Sequence, residues 1–183
     1  MALNQYTINE HLCNFRKINM YSRDTSLIQK KIVQLLKLND LGELRDKYEG
    51  VAYFNKLSLK LYSIIALERY LGINILDIES LNSGDIEYIT IAEEIKISVI
   101  PFNVSELPVI NIHECNPSII TLFREPRNLF LCGYISKREL QDKRNLRKSD
   151  SPIWKNRYEF VGFDKLRMFD DLIQLKELYK NDT

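Results

Sequence analysis

The sequence predicts an α/β domain in which a mixed central sheet is flanked by helices, with a helical extension on its N-terminal side. Three observations predict this class: a long segment of helical apolar spacing within residues 53–70, five short apolar runs between residues 86 and 135, and a capped helix followed by a final helix. We therefore divide the chain into a helical N-terminal extension, residues 1–50, and a sheet-containing core, residues 51–183, which ends in a basic segment.

The first section is expected to be helical. Asp24 and Ser26 belong to a run of capping residues, and a second short helix is expected to begin after Asp40 and to run through Tyr48. Besides packing against the core, this section could form a small subdomain, a dimerising helix pair or a DNA-contacting arm. The apolar stripe of the first helix comprises Leu27, Ile28, Ile32, Val33, Leu35 and Leu36.

A long helix is predicted over residues 53–70. Its apolar residues recur at intervals of three and four, which is typical of a helix with one buried face. Gly72 is expected to end this helix because glycine tolerates the left-handed conformation.

Strands are predicted at residues 86–90, 94–101, 108–113, 118–124 and 129–135 from apolar runs and β-branched content. Pro101 and Pro108 are expected to bound a loop, because proline does not continue a central strand.

The end of the chain is expected to fold as a turn at Gly133-Tyr134, a capped helix, a strand at 158–161 and a helix at 169–180. Ser136 as N-cap and Glu139 three residues later form the pattern of a capping box.

One amphipathic strand carries charges of opposite sign on its polar face. In residues 94–98, Glu94, Lys96 and Ser98 alternate with apolar residues, and Asp85 precedes them. Carboxylate oxygens are the ligands that a hard divalent cation prefers, and a neighbouring lysine can offset negative charge on a phosphate. This pattern suggests a Mg²⁺ site that acts on phosphodiesters.

The pattern resembles the PD-(D/E)XK nuclease superfamily, in which Asp and then Glu-x-Lys lie on neighbouring strands. Two downstream segments, Gly-Tyr-Ile-Ser-Lys-Arg-Glu and Tyr-Glu-Phe-Val followed by Leu-Arg-Met-Phe-Asp-Asp-Leu, also resemble segments of these nucleases, and the resemblance covers about residues 50–178. The resemblance implies a restriction-endonuclease-like fold and Mg²⁺-dependent hydrolysis of DNA, with Mn²⁺ as a substitute metal.

The resemblance also implies roles for individual residues. Asp85 and Glu94 would bind the metal together with the main-chain carbonyl of Ile95, and Lys96 would position the attacking water. Glu68, on the preceding helix, matches a Glu that often reaches the metal site in this superfamily.

The chain departs from the pattern in two respects. No Pro precedes Asp85. No Gly, Asn or Pro lies between Asp85 and Glu94 to favour a tight turn. Either residues 90–93 turn without such a residue, or Asp85 lies in a loop before one longer strand. In the second case the substitute ligands are Asp77, Glu79, Glu87 and Glu93.

Composition limits the compartment and the partners. No apolar run approaches the roughly 18 residues of a membrane span, and three widely spaced cysteines favour a reducing, cytoplasmic location. The net charge is only +1, yet basic residues outnumber acidic ones between residues 124 and 167, which suggests a surface for nucleic-acid phosphates. The candidate nucleic-acid-binding residues are Lys137, Arg138, Lys143, Arg144, Arg147, Lys148, Trp154, Lys155 and Arg157.

The sequence therefore predicts a restriction-like or homing-like DNA endonuclease. An enzyme that cuts both strands has to present two sites, so a homodimer or higher homo-oligomer is expected. One alternative is a nuclease fold, such as that of a mobile element, that binds DNA or another partner without cleaving. Another is an RNA-directed nuclease or accessory factor of a mobile element.

Overall fold

The computed structural model describes residues 8, 10–35, 48–76, 86, 88–113, 115–125, 128–148 and 157–182. The second N-terminal helix predicted after Asp40 lies outside these residues, except for Tyr48. The helices are α1 (Ser22–Leu35), α2 (Tyr48–Leu71), α3 (Lys137–Gln141) and α4 (Leu172–Lys180). The strands are β1 (Arg16–Asn19), β2 (Ile89–Ile91), β3 (Ile95–Asn103), β4 (Val109–Asn111), β5 (Ser118–Glu125), β6 (Asn128–Ile135), β7 (Leu146–Lys148) and β8 (Arg157–Phe160).

These strands form a mixed sheet and a small antiparallel sheet. The larger sheet has the order β1-β6-β5-β3-β2, in which only the β3–β5 pair is parallel. The smaller sheet has the order β4-β8-β7. The α/β class and the mixed central sheet are confirmed, whereas the restriction-endonuclease-like arrangement stays a prediction.

The N-terminal section contributes a strand as well as a helix. Residues Arg16–Asn19 pair with β6 at the edge of the large sheet, so this section is not purely helical. Ile18 is the only buried residue of β1, and one inward side chain gives no periodic pattern that a sequence could reveal. Arg69 of α2 donates to Asp24 of α1 at 2.5 Å, which ties the two helices together.

The predicted long helix is confirmed, with an additional turn at its start. Leu61 and Ile64 of α2 are fully buried, and Gly72 ends the helix with φ of 67°. The capping box of α3 is also confirmed, because the Glu139 N–H donates to Ser136 Oγ and the Glu139 carboxylate reaches back to the Ser136 N–H.

Two predictions about turns are wrong. Pro101 lies inside β3, opposite Thr121 of β5. The Ser98 N–H points towards β5, so the N atom of Pro101, three residues later, faces the β2 side of β3. The pairing of β2 with β3 extends only from Ile95 to Ile97 and does not reach Pro101. Gly133 and Tyr134 lie inside β6 at a register shift between β5 and β6 rather than in a turn.

The large sheet separates two apolar cores. Ile95, Ile97 and Val99 pack in the core that includes α2, while Phe102 packs with Phe160 of β8 on the other side. No helix in the described ranges is long and apolar enough to cross a membrane.

Candidate metal site and basic surface

The hairpin β2–β3 forms without glycine, asparagine or proline. Ala92 and Glu93 adopt positive φ angles of 49° and 62°, and the Glu94 N–H donates to the carbonyl of Ile91 at 3.2 Å. This is the backbone geometry of a tight hairpin turn, which usually selects Asn-Gly. β2 and β3 are therefore two strands rather than one, as the first of the two alternatives for this segment required.

Glu94 lies on this turn, immediately before β3. Its side chain is 59% exposed, and its Oε2 lies 3.1 Å from Nζ of Lys176 on α4. Ile95 is buried in the core, with 1% of its surface exposed, so only its main chain is placed to take part in a site. The carboxylate predicted to bind a metal thus already has a cationic partner.

Lys96 lies on the exposed side of the hairpin. It is opposite Thr90 of β2, and its Nζ is 3.6 Å from the centre of the Tyr88 ring. The aromatic ring attracts the ammonium group and holds it near the hairpin. The hairpin consequently carries a carboxylate and an ammonium group two positions apart, both accessible to a ligand.

One carboxylate oxygen of Glu68 is hydrogen-bonded to the main chain. Its Oε1 accepts hydrogen bonds from the N–H groups of Ile75 and Leu76, at 2.7 and 2.8 Å. These amides follow the end of α2, so Glu68 fixes the path of the chain after Gly72. The sequence did not predict these hydrogen bonds.

Several predicted site residues lie outside the described part of the chain. Within the part that the structure describes, no group of three or more His, Cys, Asp or Glu side chains could hold a metal ion. The predicted residues outside it are Asp85, the substitutes Asp77, Glu79 and Glu87, and Trp154 and Lys155 of the basic segment.

Lys176 is the residue at this site that sequence reasoning missed. It belongs to the final helix, and its contact with Glu94 joins two segments that are distant in the sequence. No local motif marks such a contact, because it depends on how α4 packs against the core.

The basic segment divides into paired and unpaired side chains. Arg144 donates to both carboxylate oxygens of Asp142, and these hydrogen bonds lower the pKa of Asp142 to about 2. Arg147 donates through Nε to Glu159 at 2.9 Å. The predicted cationic residues that are exposed and make no ion pair with another described residue are Lys137, Arg138, Lys143 and Lys148.

A groove of about 490 Å³ lies beside α3. Two of the unpaired cations line it, so positive charge and a concave surface occur together here. Its lining residues are Lys137, Arg138, Gln141, Asp142 and Asp182.

Comparisons of the chain with protein-family models, with curated proteins and with solved structures find no match.

Proposed function

We propose that the chain is a Mg²⁺-dependent endonuclease of restriction-like or homing-like type that hydrolyses DNA phosphodiester bonds. The observation that carries this proposal is the β2–β3 hairpin, whose turn presents the Glu94 carboxylate just before the strand that carries Lys96 on its exposed side. An acid and a lysine in this order on one hairpin suit a metal-assisted attack on a phosphate.

Each residue has a separate task in the proposed mechanism. Asp85, Glu94 and the main-chain carbonyl of Ile95 would hold Mg²⁺, or Mn²⁺ in its place. The bound metal would act as a Lewis acid and lower the pKa of a coordinated water. Lys96 would orient that water and offset the negative charge that develops on the phosphate. We leave Glu68 outside this set, because its Oε1 already holds the chain after α2.

The proposed enzyme would work as a homodimer or higher homo-oligomer in the cytoplasm. Cleavage of both DNA strands requires two sites in a symmetric arrangement. The described cysteines Cys13, Cys115 and Cys132 are free thiols, which suits a reducing compartment.

A specific observation favours a second candidate, a nuclease fold that binds DNA or another partner without cleaving it. Glu94 is paired with Lys176 and Lys96 is held over Tyr88. A scaffold can use both charges in this way without any metal.

Cleavage assays separate the two candidates. Supercoiled plasmid and single- and double-stranded oligonucleotides are incubated with Mg²⁺, Mn²⁺ or EDTA, using the wild type and the Glu94→Ala and Lys96→Ala variants. Glu106→Ala serves as the control, because Glu106 is an exposed carboxylate on a different turn.

We expect metal-dependent cutting that both site variants lose and the control retains. Cutting that survives in both site variants would refute the assignment of the site. If no substrate is cut but DNA is retained in a gel shift, and calorimetry detects no Mn²⁺ binding, the non-cleaving module is the better description.

A further inference from the structure

The groove beside α3 has a fixed geometry. The capping box of Ser136 and Glu139 defines the start of this helix, and Leu140 anchors it with a fully buried side chain. Gln141 donates through Nε2 to the carbonyl of Ile112 at 3.1 Å, which holds the end of the helix against the loop after β4. Lys137 and Arg138 therefore project from a short, well-anchored segment.

The two acids that line the groove are neutralised by arginines outside its lining. Asp142 accepts from Arg144 Nη2 at 2.6 Å. Asp182 accepts a short hydrogen bond from Arg167, whose guanidinium lies 5.2 Å from the centre of the Tyr134 ring. Because these carboxylates already have partners, Lys137 and Arg138 are the charges in the groove that an external ligand can neutralise.

The groove lies at the same end of the large sheet as the start of β3. Ser98 of β3 is paired with Ser118 of β5, and Ser118 is paired with Ile135 of β6, which leads directly into Lys137. Neighbouring strands are about 4.8 Å apart, so the main chains of Ser98 and Ile135 are separated by about 10 Å.

The final helix gives a second, independent estimate of the distance between the hairpin and the groove. Lys176 of α4 contacts Glu94, and Asp182, just after the end of that helix, lines the groove. Six residues at about 1.5 Å per residue correspond to roughly 9 Å. Nucleotides in one strand of a duplex repeat at about 3.4 Å along the axis, so this distance spans only a few of them.

We propose that Lys137 and Arg138 form a subsite for phosphates of a nucleic-acid backbone, placed a few nucleotides from the hairpin that carries Glu94 and Lys96. The groove is open, which suits a polyanion that passes along it better than a small anion enclosed by it. This inference rests on the proposed function for the identity of the ligand. It adds that Arg144 and Arg147, within the described part of the basic segment, lie outside the subsite, because they are already paired with Asp142 and Glu159.

The test measures the binding of a fluorescent DNA duplex and of a fluorescent RNA duplex of equal length. Binding is detected by fluorescence anisotropy in EDTA at several salt concentrations. Lys137→Ala and Arg138→Ala are compared with Lys17→Ala, which removes an exposed lysine of β1 that makes no ion pair with another described residue and does not line the groove. Loss of one phosphate contact changes the salt slope by about 0.9, so we expect each groove variant to bind about five- to tenfold more weakly near 0.1 M salt. We expect Lys17→Ala to bind like the wild type.

Equal losses in all three variants, no loss in either groove variant, or absence of wild-type binding to both nucleic acids would overturn the subsite. A preference for the DNA or the RNA arm would identify which backbone the subsite accepts. Calorimetry with Mn²⁺ alone keeps the two proposals distinguishable. Metal binding that depends on Glu94 but accompanies a failed groove test would refute the subsite and leave the proposed metal site standing.

Discussion

Lys176 Nζ lies 3.1 Å from Glu94 Oε2, so the final helix supplies a cation to the carboxylate at the start of β3. In the proposed enzyme this ammonium group occupies a position next to the metal. The pair is solvent-accessible on the Glu94 side, and ion pairs of this kind contribute about 0.2–1 kcal/mol.

Replacing Lys176 with alanine is therefore expected to strengthen Mn²⁺ binding. Loss of the competing cation should raise the affinity about two- to fivefold, as measured by calorimetry. Lys176→Arg keeps the positive charge and should bind Mn²⁺ like the wild type. Unchanged or weaker binding in Lys176→Ala would contradict competition between the metal and the lysine.

Glu68→Ala is expected to destabilise the fold rather than a metal site. The substitution leaves the N–H groups of Ile75 and Leu76 without their acceptor, which should lower the free energy of unfolding by about 2 kcal/mol. Urea denaturation measures this change. Glu68→Gln retains an acceptor oxygen and should lose less. If Glu68→Ala keeps wild-type stability but loses Mn²⁺ binding, Glu68 is a ligand after all.

The hairpin turn is expected to be strained at its two central residues. Glu93→Gly relieves the positive φ angle of 62° and should raise the free energy of unfolding by about 1 kcal/mol. Ser105→Gly is the control, because Ser105 is exposed on a turn without a positive φ angle. That variant should be less stable, and equal effects at the two positions would contradict strain in the hairpin.

Gly133→Ala is expected to weaken the packing of β6 against the segment that contains Arg167. A Cβ atom at this position would lie 3.1 Å from the carbonyl oxygen of Arg167, and φ is 134°. We expect a loss of about 3 kcal/mol in urea denaturation. Gly72→Ala, where φ is 67° and no atom lies within 4 Å of the added Cβ, should lose only about 1 kcal/mol. Similar losses would show that crowding by Arg167 is unimportant.

The hydrogen bonds from Arg144 to Asp142 are expected to make stability depend on pH in the acid range. The pKa of Asp142 is lowered from 3.8 to about 2, so its stabilising contribution is complete above about pH 4 and is lost as the pH falls towards 2. In Arg144→Gln the pKa of Asp142 should move back up towards its ordinary value. NMR titration of the carboxyl carbon measures this shift, and a pKa that stays near 2 would assign the effect to another group.

Local patterns predicted the elements well and the long-range contacts poorly. The spacing of apolar residues identified α2, and Ser136 with Glu139 identified the start of α3, because both signals come from neighbouring residues. The prediction that Pro101 ends the strand was wrong, because whether β3 accepts a proline there depends on how far its pairing with β2 extends. Asp85 lies outside the described residues, and the described residues of the predicted metal site are Glu94 and Ile95.

The same dependence on distant partners explains what no sequence pattern could show. The contact of Glu94 with Lys176 and the hydrogen bonds of Glu68 are set by how separate segments pack. A charged residue on an exposed surface has no local feature that distinguishes a metal ligand from half of an ion pair.

Strand β1 has a consequence for how the chain reaches its final form. Arg16 is paired with Leu131 and contacts Asp170, 154 positions further along the chain. Strand β1 can therefore complete these contacts only after the chain has been synthesised as far as Asp170. Contacts across such separations slow folding, and until they form, the outer edge of β6 can pair with another chain. We expect the yield of soluble protein to depend on whether β1 pairs with β6 faster than nascent chains associate with one another.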